Sequence, residues 1–189
     1  MVTGIRQRAN RVKGLRCKNF ITVLESPKTI ENIASAIRNV DALGGEKLYV
    51  VDTKKLLPST WNQMREKHSL NKISASAVKW TYVRVFRSTK ECIEHLAKKK
   101  FTSMVTSPHI KGKNNITLDG GIFTQPRLAM WFGNESHGVS EEAVQNSDYC
   151  VSIPMCGIIE SLNLGTSTGI VLYEVTKQRR KFADMKRKK

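Results

Sequence analysis

Five polar side chains stand where they could do chemistry: Asn32, Arg38, Glu135, Ser161 and Asn163. The first two lie in E-N-I-A-S-A-I-R-N-V-D-A-L-G, six residues apart. Nearly two helical turns separate them by about 9 Å along the axis, so only a helix end and long side chains bring both to one ligand. By spacing alone Arg38 also fits an ion pair with Asp41, three residues on. The third sits in W-F-G-N-E-S-H-G-V-S, where Gly133 allows close approach to a flat ligand and Glu135 places a carboxylate at a strand end. An ordinary turn leading to a helix capped at Ser140 fits the same residues. No P-loop lysine follows and the G-x-G-x-x-G order is absent, which disfavours a phosphate cradle. The last two lie in I-P-M-C-G-I-I-E-S-L-N, where Pro154 ends a strand and Ser161 and Asn163 stand at the mouth of a helix, as N-caps or as ligands. Gly165, Thr166, Ser167, Thr168 and Gly169 then form a face without bulk, suited to a partner helix or a threaded chain.

The elements that position these groups alternate between apolar runs and helical patterns. Strands are expected at Phe20–Leu24, Lys47–Val51, Tyr82–Phe86, Phe101–Thr106, Leu128–Phe132 and Tyr149–Ile153. Ser26-Pro27 announces a helix over Lys28–Leu43 with proline in its first turn, stopped by Gly44-Gly45. Ser88-x-x-Glu91 opens a helix to Lys99, Ser140 opens one to Gln145, and a final helix runs from Leu162 to the lysine-rich end. Residues 59–80 read as a short helix near Trp61 and a loop, and Lys111–Gln125 as a loop. Strands alternating with helices predict an α/β fold built on a mainly parallel sheet, whose strand ends are where ligands bind.

The chain of 189 residues fits one domain, and its hydrophobic share of 40% is that of a globular protein. No apolar run reaches the length of a membrane span, and the basic start lacks the apolar stretch of a secretory signal, so a cytoplasmic protein without membrane contact is expected. Cys17, Cys92, Cys150 and Cys156 form no CxxC pair, and no histidine spacing completes a metal site; Cys150 reads as a small core residue. Net charge is +16, and most of it lies at the ends. A basic arm over residues 1–18 carries Arg6, Arg8, Arg11, Lys13, Arg16 and Lys18 with no acid. The end carries Lys177, Arg179, Arg180, Lys181, Lys186, Arg187, Lys188 and Lys189 against Asp184. The body is placed at 19–181 and the tail at 182–189. Such ends are a footprint for nucleic acid, or solvated segments that aid solubility.

In order and content, the three motifs resemble those of the SPOUT (SpoU–TrmH) RNA 2′-O-ribose methyltransferases, over about residues 20–180. The resemblance implies a deep trefoil knot in the C-terminal part of the sheet, with S-adenosylmethionine held there by Thr106, Gly133, Ile153, Met155 and Leu162. It implies Arg38 as the catalytic residue, with Asn32, Glu135, Ser161 and Asn163 orienting it, the nucleotide and the cofactor loop. Where many tRNA-modifying members have an arginine after the helix glutamate, this chain has Lys177, so RNA contacts pass to Lys177, Arg179 and Arg180, beside Arg6, Arg8 and Arg11. The helix after Asn163 departs from the family's serine, valine and alanines but keeps their size. The added RNA-binding domain of some rRNA-modifying members is not seen.

The activity expected is S-adenosylmethionine-dependent methylation of a ribose 2′-hydroxyl in structured RNA, with tRNA favoured over rRNA; a non-catalytic RNA-binding protein is the rival. No metal is expected. A homodimer is expected through the last helix and the first, on the small face Gly165, Ser167, Thr168 and Gly169, part of which must serve the knot, and on the pairing that the resemblance implies there.

Overall fold

In the computed structural model, which describes residues 3–112 and 114–187, one seven-stranded sheet carries all the helices. The elements run α1 (Thr3–Val12), β1 (Cys17–Glu25), α2 (Ile30–Ala42), β2 (Gly45–Val51), α3 (Trp61–Glu66), α4 (His68–Ile73), β3 (Tyr82–Phe86), α5 (Thr89–Lys98), β4 (Thr102–Thr106), β5 (Asn115–Thr117), β6 (Leu128–Phe132), α6 (Glu141–Gln145), β7 (Tyr149–Ser152) and α7 (Leu164–Arg187). The strand order is β3-β2-β1-β6-β4-β7-β5, and every pairing is parallel. Register is tight at the carboxyl ends, with Leu24 opposite Phe132, Glu25 opposite Val51, and Val51 opposite Phe86.

Alternation along β1 sends Phe20 and Leu24 to one face of the sheet and Ile21 and Val23 to the other. On the first face α2 contributes Ile33, Ala34, Ile37 and Val40, and α7 contributes Val171, Leu172 and Val175. On the second, Cys92 and Leu96 of α5 and Ala143 and Val144 of α6 close over Trp131 and Cys150. A strand covered on both sides reads as a continuous apolar run, as L-A-M-W-F of β6 does. Burial raises the pKa of the Cys92 and Cys150 thiols, as fits core residues.

Three local expectations are corrected. α2 begins at Ile30 with Thr29 as its cap, so Pro27 lies in the preceding turn, after Ser26 at φ 49°. Residues 59–80 form two short helices and a 3-10 turn. The segment 111–125 contains β5, an edge strand of three residues held by backbone bonding to β7. Its one half-buried apolar side chain, Ile116, leaves no alternation to read.

Both basic ends are helical within the described residues. Arg16 belongs to the body, its guanidinium bonded to Asp41 at 3.0 Å and to the carbonyls of Gly45 and Trp80. α7 continues through Arg187 without a break at 182. Arg179, read as an RNA ligand, instead donates to the carbonyls of Phe123 (3.2 Å), Gln125 (2.7 Å) and Asn19 (3.4 Å), and Arg180 donates to Leu43 at 3.0 Å. These contacts tie α7 to the amino-terminal end of the sheet. Arg179→Ala should therefore destabilise the fold by about 2–3 kcal/mol in urea unfolding, since it strands carbonyls bonded to a cation. Lys186→Ala on the exposed end of α7 should stay within about 0.5 kcal/mol.

Candidate active site

A cavity of about 280 Å³ opens at the carboxyl ends of β4, β6 and β7. Three stretches of chain build it: 106–111 after β4, 132–138 after β6, and 151–167 around the Pro154 turn into α7. Thr106, Gly133, Ile153, Met155 and Leu162 all line it. Thr106 also ties β4 to β6 beneath it, its hydroxyl donating to the Trp131 carbonyl at 2.9 Å.

After Gly133 the chain doubles back, with Asn134 and Gly138 exchanging backbone hydrogen bonds of 2.9 and 2.8 Å. A Cβ on Gly133 would lie 2.0 Å from the backbone of Gly138 and Val139, so no other residue fits. The loop is then stitched to the turn between β1 and α2. Asn134 donates its side-chain amide to the Ser26 carbonyl at 2.6 Å. The Glu135 carboxylate accepts the Lys28 amide at 3.0 and 3.2 Å and the Asn32 side-chain amide at 2.5 Å, while the Lys28 ammonium donates to the Ser136 hydroxyl. Behind the loop, the Glu25 carboxylate, 4% exposed, accepts from the amide and hydroxyl of Ser140 and from the Thr89 hydroxyl.

Asn163 plays both of the parts open to it. Its carbonyl oxygen caps α7 by accepting the amides of Gly165 (2.8 Å) and Thr166 (3.3 Å), while its amide nitrogen donates to Asn32 at 3.2 Å. Asn163, Asn32 and Glu135 thus form one hydrogen-bonded chain across all three motifs. Ser161 lines the cavity beside Glu160. Arg38 stands apart on the exposed side of α2 and does not line the cavity. It makes no pair with Asp41, which takes Arg16 instead.

The small face of α7 has its partner inside the subunit. A Cβ on Gly165 would meet Ser35 at 3.0 Å, Gly169 lies against Asn39, and Asn39 donates to the Gly165 carbonyl and the Thr168 hydroxyl. Gly165, Thr168 and Gly169 thus pack within the subunit, which leaves them no part in pairing with a second copy. The outward stripe of α7 is Thr166, Ile170, Tyr173 and Lys177, with Lys177 paired to Glu174. Of the other basic residues singled out, Arg8 and Arg11 lie exposed on α1, and the Arg6 side chain is outside the described residues.

Sequence reasoning missed Glu25, Ser26 and Lys28, which hold the motif loops, and Glu160, His109 and His137, which line the cavity. A signal was present for the first group: S-P-K-T falls between the first strand and the Asn32 helix, facing whatever follows the neighbouring strand. Phe132, Ile153, Met155, Leu162 and Leu164 offer apolar walls suited to an adenine ring, and Glu135 and Glu160 offer carboxylates suited to the cationic end of S-adenosylmethionine. The donor set fits that molecule. Among the described residues no cluster has the makings of a metal site, and no helix is long and apolar enough to cross a membrane.

An all-parallel open sheet with a cavity of mixed polar and apolar lining at its strand ends defines a ligand-binding α/β protein. Comparison with known proteins narrows this. The model of the SpoU rRNA methylase family matches residues 19–173, and the chain belongs to that family. It is 29% identical over 176 residues to the tRNA (guanosine(18)-2′-O)-methyltransferase of Thermus thermophilus, covering 93% of this chain and 84% of that one. The enzyme of the same name from Escherichia coli is 26% identical over 164 residues, 87% of this chain and 66% of that one. Among solved structures, the TrmH/SpoU tRNA-modifying enzyme of A. aeolicus superposes with a TM-score of 0.76 at 26% identity, over 95% of this chain and 86% of that one. AviRb of Streptomyces viridochromogenes, solved in complex with AdoMet, gives 0.69 at 26% identity over 90% and 64%. The chain is an RNA methyltransferase that uses S-adenosylmethionine.

Gly133→Ala should abolish S-adenosylmethionine binding in calorimetry, because its Cβ forces the 133–139 loop out of place. Far-ultraviolet circular dichroism should keep the helical signal, since no helix lies within the loop.

Proposed function

We propose that this enzyme methylates a ribose 2′-hydroxyl of tRNA, with Arg38 acting on the hydroxyl and Asn32, Glu135, Ser161 and Asn163 organising the site. The observation that carries the reading is the Asn163–Asn32–Glu135 chain at the mouth of the cavity. The names of the relatives from Thermus thermophilus and Escherichia coli favour tRNA over rRNA, and guanosine 18 is the position to test first. S-adenosylmethionine supplies an activated methyl group, so the protein's task is alignment and help with the hydroxyl proton. Thr106, Gly133, Ile153, Met155 and Leu162 would hold it. A guanidinium stays protonated in proteins, so Arg38 serves to orient the ribose and its phosphate and to stabilise the developing alkoxide. Solvent or the RNA phosphate takes the proton. The setting is the cytoplasm.

The same reading includes a threaded C-terminal region. Strand order supports it: β7 inserts between β4 and β5, which precede it in the chain, after β6 has settled on the other side of β4. It also includes a homodimer, now on different grounds. Ile158 is 98% exposed and Ile159 68%, both on the cavity's own turn, and Ile170 and Tyr173 are exposed on α7. The basic helix α1 and the end of α7 lie at the amino end of the sheet, whereas the cavity lies at the carboxyl end. β1, nine residues long, separates the two by about 30 Å. A two-fold partner would bring one subunit's basic ends, and its Arg38, which has no ion pair among the described residues, toward the other's cavity.

Tritiated methyl transfer to unmodified tRNA, mapped by nuclease-resistant dinucleotides, tests the activity; no incorporation into any RNA refutes it. Arg38→Ala should lower the rate by about 100- to 1,000-fold with cofactor affinity within a few-fold by calorimetry. Asn163→Ala should impair both rate and affinity. Sedimentation at micromolar concentration should give a dimer, and Ile158→Asp/Ile159→Asp should give monomers without activity; a fully active 21.3 kDa species refutes the shared site.

A further inference from the structure

A second set of cations lies beside the cavity, on the same subunit and away from both basic ends. The register brings Phe132, Leu24, Val51 and Phe86 to nearly one height, so the chain leaves β6, β1, β2 and β3 along one edge, at Gly133, Ser26, Asp52 and Arg87. Three strand spacings put Arg87 about 14 Å from Gly133 along that edge. Lys54, Lys55, Arg87 and Lys90 are all exposed there. None forms an ion pair among the described residues.

The nearby acids make their bonds to the fold and not to these cations. Asp52, 1% exposed, accepts the amides of Leu56 and Leu57 at 3.0 and 2.8 Å, and Glu25 is buried against Ser140 and Thr89. Glu91 accepts the Arg87 amide at 2.9 Å. The carrying loop is also fixed in place. Asp52 ties it from within, Thr53 donates to the Ser26 hydroxyl at 3.2 Å, and Arg87 reaches Ser59 at 3.4 Å. Solvated lysines on a mobile loop need none of this.

We propose that Lys54, Lys55 and Arg87, with Lys90 at the outer end, hold the phosphate backbone of the RNA flanking the nucleotide bound in the same subunit's cavity. The proposal rests on the reading of the cavity as an RNA methylation site. Lys28, between this edge and the cavity, links the two through its bonds to Glu135 and Ser136. No aromatic side chain lines the edge among these residues, so it grips phosphates and reads no bases.

The test compares two triple variants of the full chain on unmodified tRNA transcripts. Lys54→Ser/Lys55→Ser/Arg87→Ser removes the edge. Lys98→Ser/Lys99→Ser/Lys100→Ser removes three exposed cations at the opposite end of the sheet, where α5 returns to β4. The first should weaken RNA binding about ten-fold or more and flatten the log-affinity against log-salt slope by about 2. Its S-adenosylmethionine affinity and its single-turnover rate at saturating RNA should stay within two-fold. The second should bind RNA within two-fold of the parent. Should the first triple lose cofactor binding, Lys54→Ser/Lys55→Ser, which keeps the Arg87–Ser59 contact, repeats the measurement. Unchanged RNA affinity in the edge variants, or an equal loss in the control, overturns the proposal. A parent enzyme that binds transcripts but methylates none overturns the activity instead, and leaves the binding comparison to decide the edge on its own.

Discussion

The adjacency of β1 and β6 is the constraint on which the site depends. Because the two strands run parallel and in register from Phe20–Leu128 to Leu24–Phe132, their carboxyl ends emerge side by side. Only then can a turn from the start of the chain and a loop from its last third be sewn together through Ser26, Lys28 and Asn32 on one side and Asn134, Glu135 and Ser140 on the other. Each bond is a neutral or singly charged hydrogen bond of modest net strength. Their value is in number and in shared geometry: the loop cannot move toward or away from the cavity without breaking several at once. Glu25 anchors this seam from below. A carboxylate so buried is tolerated because three donors meet it, and those donors belong to the first turns of two different helices.

Much of the architecture was legible in the chain. Strands covered on both faces announce themselves as short apolar runs, and β3 and β6 match their expected bounds. Caps announce helix starts: Ser88 and Ser140 each accept the amide three residues on. What escaped has a common physical cause. β5 is held by backbone pairing at an edge, which leaves no side-chain pattern. The partner of the α7 glycines is α2, and no periodicity in α7 can say whether a close neighbour belongs to the same subunit or another. The site motifs were visible by type, but the bond from Asn163 to Asn32 spans 131 positions in sequence and exists only once the sheet is ordered.

Charge shows the same limit. A count of lysines and arginines cannot tell a cation that faces water from one committed to the fold. Arg16, Arg179 and Arg180 sit in the basic ends and bond to carbonyls of the body. The exposed cations of the 54–55 loop are surrounded in sequence by apolar and polar residues and form no run. Electrostatic reading of such a protein has to start from which donors already have acceptors.

The place of β7 between β4 and β5 also orders events in time. A ribosome releases β4, β5 and β6 before β7, so the sheet's half nearest the cavity waits with a gap one strand wide until residue 152 has been made. The segment that completes the cavity, 153–167, and the helix that covers the first face follow later still. Long-range parallel pairing is slow to form for entropic reasons, and here it is also deferred by the direction of synthesis. The nascent chain carries an unpaired β4 edge from residue 106 until residue 152, and the lining for a methyl donor is completed only afterwards. The cavity's lining is therefore complete only once residue 167 has been made, although the cations of the first helix and of the 54–55 loop precede it by more than 75 residues.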